Sequence, residues 1–164
     1  MTDFANLVDG GRRLGPLLRD AMADEADTVL LAAIPNGVPV AVGIREAYGR
    51  PVRALPVERT DAGASVAAIP DLAGRTVIVV DDGVETGSVA RAAASALRES
   101  GVARLVLAVP VCPREALADL QHRYDLIVAV ARPLARRSLT WHYADFDTID
   151  EAEALRLLAG LPPA

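Results

Sequence analysis

The chain is predicted to be an α/β protein, a three-layer α/β/α sandwich around a five-stranded, mainly parallel sheet. Three observations carry this. Short apolar runs rich in branched residues recur along the 164 residues, helical patterns of about a dozen residues separate them, and Gly, Pro or Asp punctuates the joins. Strands that alternate with helices require parallel pairing, right-handed crossovers and a sheet covered on both faces.

The first element is a helix, because Phe4, Leu7, Leu14, Leu17, Leu18 and Met22 recur at helical spacing. Thr28 to Ile34 (TVLLAAI) is a continuous apolar run too short for a helix and bounded by Pro35-Asn36-Gly37, which reads as a buried strand. A helix over 38–48 follows, with Pro39 in its first turn and Gly49 as its stop, and then a second strand over 52–57. The stretch 60–74 has no clear period and reads as a loop, with room for a short strand at 65–69. Strands are expected at 76–80, 104–110 and 126–131, and helices at 88–100 and 114–122. Thr148 with Glu151 forms a capping-box pattern for a last helix ending near Ala159.

Composition narrows the function classes. A content of 52% hydrophobic residues over this length suits one domain (1–164), with a core of about 26–132 and a tail of about 133–164. The single Cys112 cannot form an internal disulfide and no His/Cys cluster has zinc spacing, which fits the cytoplasm. The opening MTDFANLVDGGRRLG lacks a basic start followed by an apolar run, so no signal peptide is expected, and no segment has the apolar length of a membrane span. A net charge of -5 argues against nucleic acid as a partner.

The chemistry concentrates after the strand at 76–80. Asp81 and Asp82 follow the apolar run VIVV, where two carboxylates are costly unless they meet solvent, a cation or hydroxyl donors. The next residues, Gly83, Val84, Glu85, Thr86, Gly87, Ser88 and Val89, supply glycines for unusual backbone angles, two hydroxyls and the free amides of a helix start. Acids followed by an anion cradle suit a ligand with a diol at one end and a phosphate at the other, as in a ribose 5-phosphate. Neither GxxxxGK followed by Ser or Thr nor GxGxxG occurs, so a classical phosphate loop and a dinucleotide fold are excluded.

The string VIVVDDGVETGSV resembles the phosphoribosyl pyrophosphate (PRPP) loop of type I phosphoribosyltransferases, and the element order from Thr28 to Ala131 resembles that family's core. The tail WHYADFDTIDEAEAL is similar to the carboxyl end of a poorly characterised bacterial subgroup. The resemblance implies that Asp81 and Asp82 hold the ribose hydroxyls, directly or through Mg2+ and water, and that Thr86, Gly87 and Ser88 bind the 5-phosphate. Pro35, Asn36 and Gly37 would match the pyrophosphate loop, and Glu85 would lie where 6-oxopurine members carry an acid facing the purine ring nitrogen. Trp141 and Tyr143 would belong to a small C-terminal hood over the base. Mg2+ as cofactor, PRPP and a nitrogenous base as ligands, and a homodimer as the assembly follow from the same likeness.

Three departures from the pattern stand out. The subgroup usually has Pro-Arg-Gly-Gly where this chain has the shorter Pro35-Asn36-Gly37, so a cation must come from elsewhere. Val89 replaces a Thr that commonly adds a phosphate hydroxyl. The segment 58–75 is short where the family carries a long flap, with Arg53 and Arg59 as the cations that could substitute. The sequence therefore supports two readings: an Mg2+-dependent phosphoribosyltransferase, or a non-catalytic PRPP- or nucleotide-binding regulatory protein that retains the cradle.

Overall fold

The computed structural model describes residues 3–162. Helix α1 (Leu7–Ala21) is capped by Asn6, whose side chain accepts the Asp9 amide at 2.8 Å. It is followed by β1 (Thr28–Ala33), α2 (Gly37–Arg45), β2 (Val52–Leu55), β3 (Val57–Thr60) and β4 (Gly63–Val66). Then come β5 (Thr76–Val80), α3 (Ser88–Glu99), β6 (Arg104–Val111), α4 (Arg114–Leu120) and β7 (Leu126–Ala131). A 3-10 turn (Leu139–His142) leads to α5 (Glu151–Gly160).

Five strands form one sheet in the order β2-β1-β5-β6-β7, and every pairing is parallel. Alternate residues of each strand feed two cores. Leu30, Ile78 and Val106 pack under α1, α2 and α5 on one face, while Leu31, Val79 and Leu107 pack under α3 and α4 on the other. That two-sided burial is why the strands read as continuous apolar runs rather than alternating ones. Helices α1 and α2 lie in backbone contact: a methyl on Gly11 would sit 1.9 Å from the Val40 carbonyl oxygen, and one on Gly43 would sit 2.2 Å from that of Val8.

Two expectations are corrected. The stretch 60–74 is without helix or strand only from residue 67: before it, after Pro56, the chain folds into the antiparallel hairpin β3-β4 with Thr60 opposite Gly63, and the short strand expected at 65–69 lies at Gly63–Val66. Proline removes a ladder donor and so separates β2 from β3, and the Asp61-Ala62-Gly63 turn closes the hairpin where Gly63 takes a positive φ of 131°. The last helix is capped by Asp150, not Thr148: the Asp150 side chain accepts the Glu153 amide at 2.8 Å. Asp at that position also opposes the positive end of the helix.

The tail after β7 packs against the segment before α1, with Phe4, Tyr143 and Ala154 in the core under α1 and α2. The tail crosses the segment before α1, where the Phe4 amide donates to the His142 carbonyl at 3.0 Å and the Ala144 amide to the Phe4 carbonyl at 2.8 Å. Among the described residues, no helix is long and apolar enough to cross a membrane.

Candidate functional site

The strand order reverses between β1 and β5, so the connections leaving their carboxyl ends run to opposite sides and open a crevice between them. Pro35-Asn36 after β1 and the stretch Asp81 to Ala90 after β5 line one cleft of about 600 Å3. The hairpin contributes Arg59, Thr60, Gly63 and Ala64 to its wall, and the tail contributes Leu139 and Phe146.

Asp82 is 8% exposed and Asp81 is half-buried. Burial pushes the Asp81 carboxyl well above the ordinary range, and the adjacent Asp82 charge pushes it further. Its Oδ1 accepts the Asp82 amide at 2.8 Å, which opposes that rise. Burial raises Asp82 as well, against hydrogen bonds from Asp81 and from the Asn36 side chain. The Arg59 guanidinium lowers both. The floor of the cleft is thus a carboxylate pair whose charge the protein only partly compensates.

Downstream, the chain turns on Gly83 (φ 150°) and Gly87 (φ 85°). Gly87 is the residue before α3 and uses the left-handed region, which a side chain would disfavour. Gly87 has no side chain to cap α3, and the first helix amide, that of Ser88, donates to the Thr86 hydroxyl at 3.3 Å. Thr86 and Ser88 place their hydroxyls 3.1 Å apart at this helix start, and Arg91, one turn on, donates to the Thr86 carbonyl at 3.1 Å.

The other sequence-selected residues divide between wall and scaffold. Asn36 bridges two segments: its Oδ1 accepts the Ile149 amide at 3.1 Å while its side chain hydrogen-bonds Asp82. Gly37 lies behind the cleft, where an added Cβ would stand 2.5 Å from the Val80 carbonyl oxygen, so its role is to let the two strand ends approach. The Ile34-Pro35 peptide before it is cis. Val84 is buried beside the acids and Val89 is half-buried on the wall. Glu85 reaches the cleft and its Oε1 accepts the Leu139 amide at 2.7 Å, tying the loop to the tail.

Trp141 is 59% exposed, lies outside the cleft wall and carries the Arg137 guanidinium 4.6 Å above its ring. Tyr143 is buried between Phe4 and Phe146, with ring centroids 5.3 Å away on each side, and donates its hydroxyl to the Asp82 carbonyl at 2.6 Å. Burial, then the Asp82 and Asp81 charges, hold its phenol above the ordinary range, so it remains a donor. The tail residues that reach the cleft are Leu139 and Phe146 instead, and only the fold of the 138–147 segment selects them. Of the two arginines considered as substitute cations, Arg59 on β3 lines the cleft and Arg53 on β2 donates to the Pro70 carbonyl at 3.2 Å.

Fold and cleft together define a doubly wound α/β protein with a cleft at its sheet's switch point. The family model for the phosphoribosyl transferase domain matches residues 17–132, and the chain belongs to that family. It is 33% identical over 87 residues, 53% of its length, to a Mycobacterium tuberculosis protein provisionally named a phosphoribosyl transferase, of which that match covers 20%. It is 35% identical over 94 residues to the orotate phosphoribosyltransferase of Corynebacterium glutamicum, covering 56% of this chain and 51% of that one. The chain thus spans about a fifth of the first of these curated relatives and about half of the second. Among solved structures, TT1426 from Thermus thermophilus superposes with a TM-score of 0.78 at 23% identity, over 96% of this chain and 98% of that one. The purine phosphoribosyltransferase of Pyrococcus horikoshii superposes at 0.56 with 15% identity, over 91% and 99%. Both share the fold.

Proposed function

We propose that the protein is an Mg2+-dependent phosphoribosyltransferase that moves ribose 5-phosphate from PRPP to a nitrogenous base of purine type and releases pyrophosphate. The observation that carries the reading is the placement, in one cleft, of the Asp81-Asp82 pair beside the start of α3 with its Thr86 and Ser88 hydroxyls. The 5-phosphate would take the α3 amides and the two hydroxyls, which fixes one end of the sugar. Asp81 and Asp82 would accept the ribose hydroxyls and so orient C1 for attack. The acceptor nitrogen then forms its bond to C1 as the bond from C1 to the pyrophosphate oxygen breaks, and the ring proton passes to Glu85.

The acids also fit a divalent cation, since burial leaves their charge undercompensated. Among the described residues no group of three or more His, Cys, Asp or Glu could hold a metal, so substrate oxygens and water would complete the shell, as Mg2+ commonly allows. Bound there, Mg2+ would neutralise charge on the leaving pyrophosphate. On this reading residues 1–164 are one phosphoribosyltransferase-like domain, with core about 26–132 and hood about 133–164. Its partners are small molecules, its assembly is a homodimer and its compartment is the cytoplasm.

One observation favours a second reading, a non-catalytic PRPP- or nucleotide-binding regulatory protein: an oxygen of the proposed base, Glu85, is already engaged by the Leu139 amide. Calorimetric titration of PRPP with and without Mg2+, run beside an assay of pyrophosphate release against a panel of bases, separates the two. Binding with release supports the transferase, and binding without release supports the regulatory protein. Absence of any binding would remove both.

A further inference from the structure

We infer that Asp147 is a positioning residue of the cleft: by clipping the tail to the first turn of α1, it sets the wall that Phe146 presents to the ligand's heterocycle. The assignment rests on the phosphoribosyl reading of the cleft. The tail reaches the cleft at two side chains, Leu139 and Phe146. Leu139 is fixed from the loop after β5, because its amide donates to the Glu85 carboxylate at 2.7 Å. Phe146 has an apolar side chain, and it takes its place from the backbone around it and from the Tyr143 ring, whose centroid lies 5.3 Å away.

That backbone is held by the segment that opens α1. On one side of Phe146 the Ala144 amide donates to the Phe4 carbonyl at 2.8 Å and the Asp145 amide to the Ala5 carbonyl at 2.9 Å. On the other side Asp147 Oδ1 accepts the Leu7 amide at 3.0 Å, a bond between residues 140 apart in sequence. The amide it takes is one that α1 leaves open. Asn6 accepts from Asp9, and the Asp9 carboxylate turns back to the Ala5 amide at 2.9 Å, so the first helical amide falls to the tail. A carboxylate there also opposes the positive end of α1. The two acids beside Phe146 differ: Asp147 is half-buried and uses its carboxylate, whereas Asp145 is exposed and contributes its amide.

An aromatic ring on a cleft wall contributes to the binding of a flat heterocycle by stacking, and contributes most when its plane is set before the ligand arrives. The held stretch of tail runs from Tyr143, on the Asp82 carbonyl, to Ile149, whose amide donates to Asn36 at 3.1 Å. Phe146 lies midway between these anchors, and Asp147 is the neighbouring side chain that reaches a separate element of the fold. Helix α1 supplies no residue to the cleft wall, yet its first turn acts on the cleft through this clip.

The test is calorimetric titration with GMP, UMP and ribose 5-phosphate at fixed Mg2+, with thermal unfolding of each protein. The set is wild type, Phe146→Ala, Asp147→Ala, Asp147→Asn, Asp145→Ala and the Phe146→Ala/Asp147→Ala double variant. Wild type should bind at least one nucleotide more tightly than ribose 5-phosphate, the excess being the contribution of the base. Phe146→Ala should weaken that nucleotide by about tenfold and Asp147→Ala by about threefold or more, with ribose 5-phosphate within about twofold in both, because a base-aromatic stack is lost or misplaced. Asp147→Asn keeps an oxygen for the Leu7 amide and should retain most of the nucleotide affinity. Asp145→Ala removes the same charge from the other flank and should leave it unchanged. In the Phe146→Ala background Asp147→Ala should cost nothing further, since it acts through the ring. Additive losses, equal losses for nucleotide and sugar phosphate, or a fall in unfolding temperature that accounts for them would make Asp147 a structural cap and overturn the assignment. Wild-type nucleotide affinity in Asp147→Ala would overturn it too. A wild type that binds ribose 5-phosphate as tightly as either nucleotide would overturn it while leaving the sugar-phosphate cradle standing. A wild type that binds none of the three would overturn the phosphoribosyl reading itself and this assignment with it.

Discussion

The Tyr143 hydroxyl donates to the backbone carbonyl of Asp82 at 2.6 Å, across 61 residues of chain, and so fastens the acid pair to the tail. With the Glu85 carboxylate on the Leu139 amide at 2.7 Å, the loop after β5 is held by the tail at two points three residues apart. The loop and the tail are thus one mechanical unit.

Tyr143→Phe removes the donor and leaves a buried carbonyl short of its partner. Folding stability should fall by about 1–3 kcal/mol. Urea denaturation measures this, and PRPP affinity should fall in parallel because Asp82 is no longer fixed. An unchanged midpoint would mean that the hydrogen bond is not formed in solution.

Asp81→Asn should stabilise the ligand-free protein at neutral pH while abolishing PRPP binding. The sign follows from burial. The folded-state pKa of Asp81 is raised well above the ordinary 3.8, so the folded protein holds a proton that the unfolded chain releases. The contribution of this group to stability is therefore fully present below about pH 4 and is lost as pH rises through the folded value. Unfolding temperatures of variant and wild type should converge near the acid end and separate in the variant's favour toward neutrality. A variant less stable than wild type at neutral pH would contradict this.

Gly83→Ala should disturb the loop for two separable reasons. The residue has φ 150°, and an added Cβ would stand 2.5 Å from Leu139 Cδ2. A loss of about 1–3 kcal/mol is expected, typical of forcing extra carbon into a packed site. Adding Leu139→Ala should relieve the contact but not the backbone strain, so the double variant should show a favourable coupling in a denaturation cycle. Purely additive losses would show that the side chain of Leu139 is not the obstacle.

Glu85→Gln and Glu85→Ala should part company. Glutamine keeps an oxygen for the Leu139 amide and loses only the charge, so PRPP affinity should hold while turnover falls by about 10²–10⁴-fold if the carboxylate takes the acceptor proton. Alanine loses the tie as well, and KM for PRPP should rise in addition. Wild-type turnover in Glu85→Gln would remove the proton-accepting role and leave the tie.

The two helices that meet through Gly11 and Gly43 supply a test of the frame itself. Gly43→Ala places a methyl 2.2 Å from the Val8 carbonyl oxygen, and backbone on both sides leaves nowhere to yield. A severe loss of stability is expected, visible as reduced soluble yield and a lowered unfolding temperature, whereas Gly160→Ala, in open space, should be neutral or mildly stabilising.

The sheet strands are legible because burial on both faces makes each one an unbroken apolar run, and parallel pairing leaves only a few arrangements. The hairpin β3-β4 is less so: its strands are four residues each and half-exposed, so 57–66 shows neither apolar continuity nor clean alternation. Its turn signal, Asp61-Ala62-Gly63, is present but short. The cap of α5 illustrates a smaller ambiguity, since Thr148 and Asp150 are both capable caps and the structure uses the latter.

By itself, the sequence determined the local chemistry: which runs become strands, where the acids interrupt them, and that Gly87 with Thr86 and Ser88 opens a helix. These properties depend on neighbours within a few residues, so they can be read along the chain. Tertiary structure alone decided which side chains share the cleft. Arg59 lines the cleft and Arg53 does not, Leu139 and Phe146 reach the wall while Trp141 stays on the surface, and Asn36 and Tyr143 become struts for Asp82. The physical reason is that facing is set by packing: whether a side chain on a short hairpin or an irregular tail meets ligand, core or water depends on elements far away in sequence, and no local pattern encodes it.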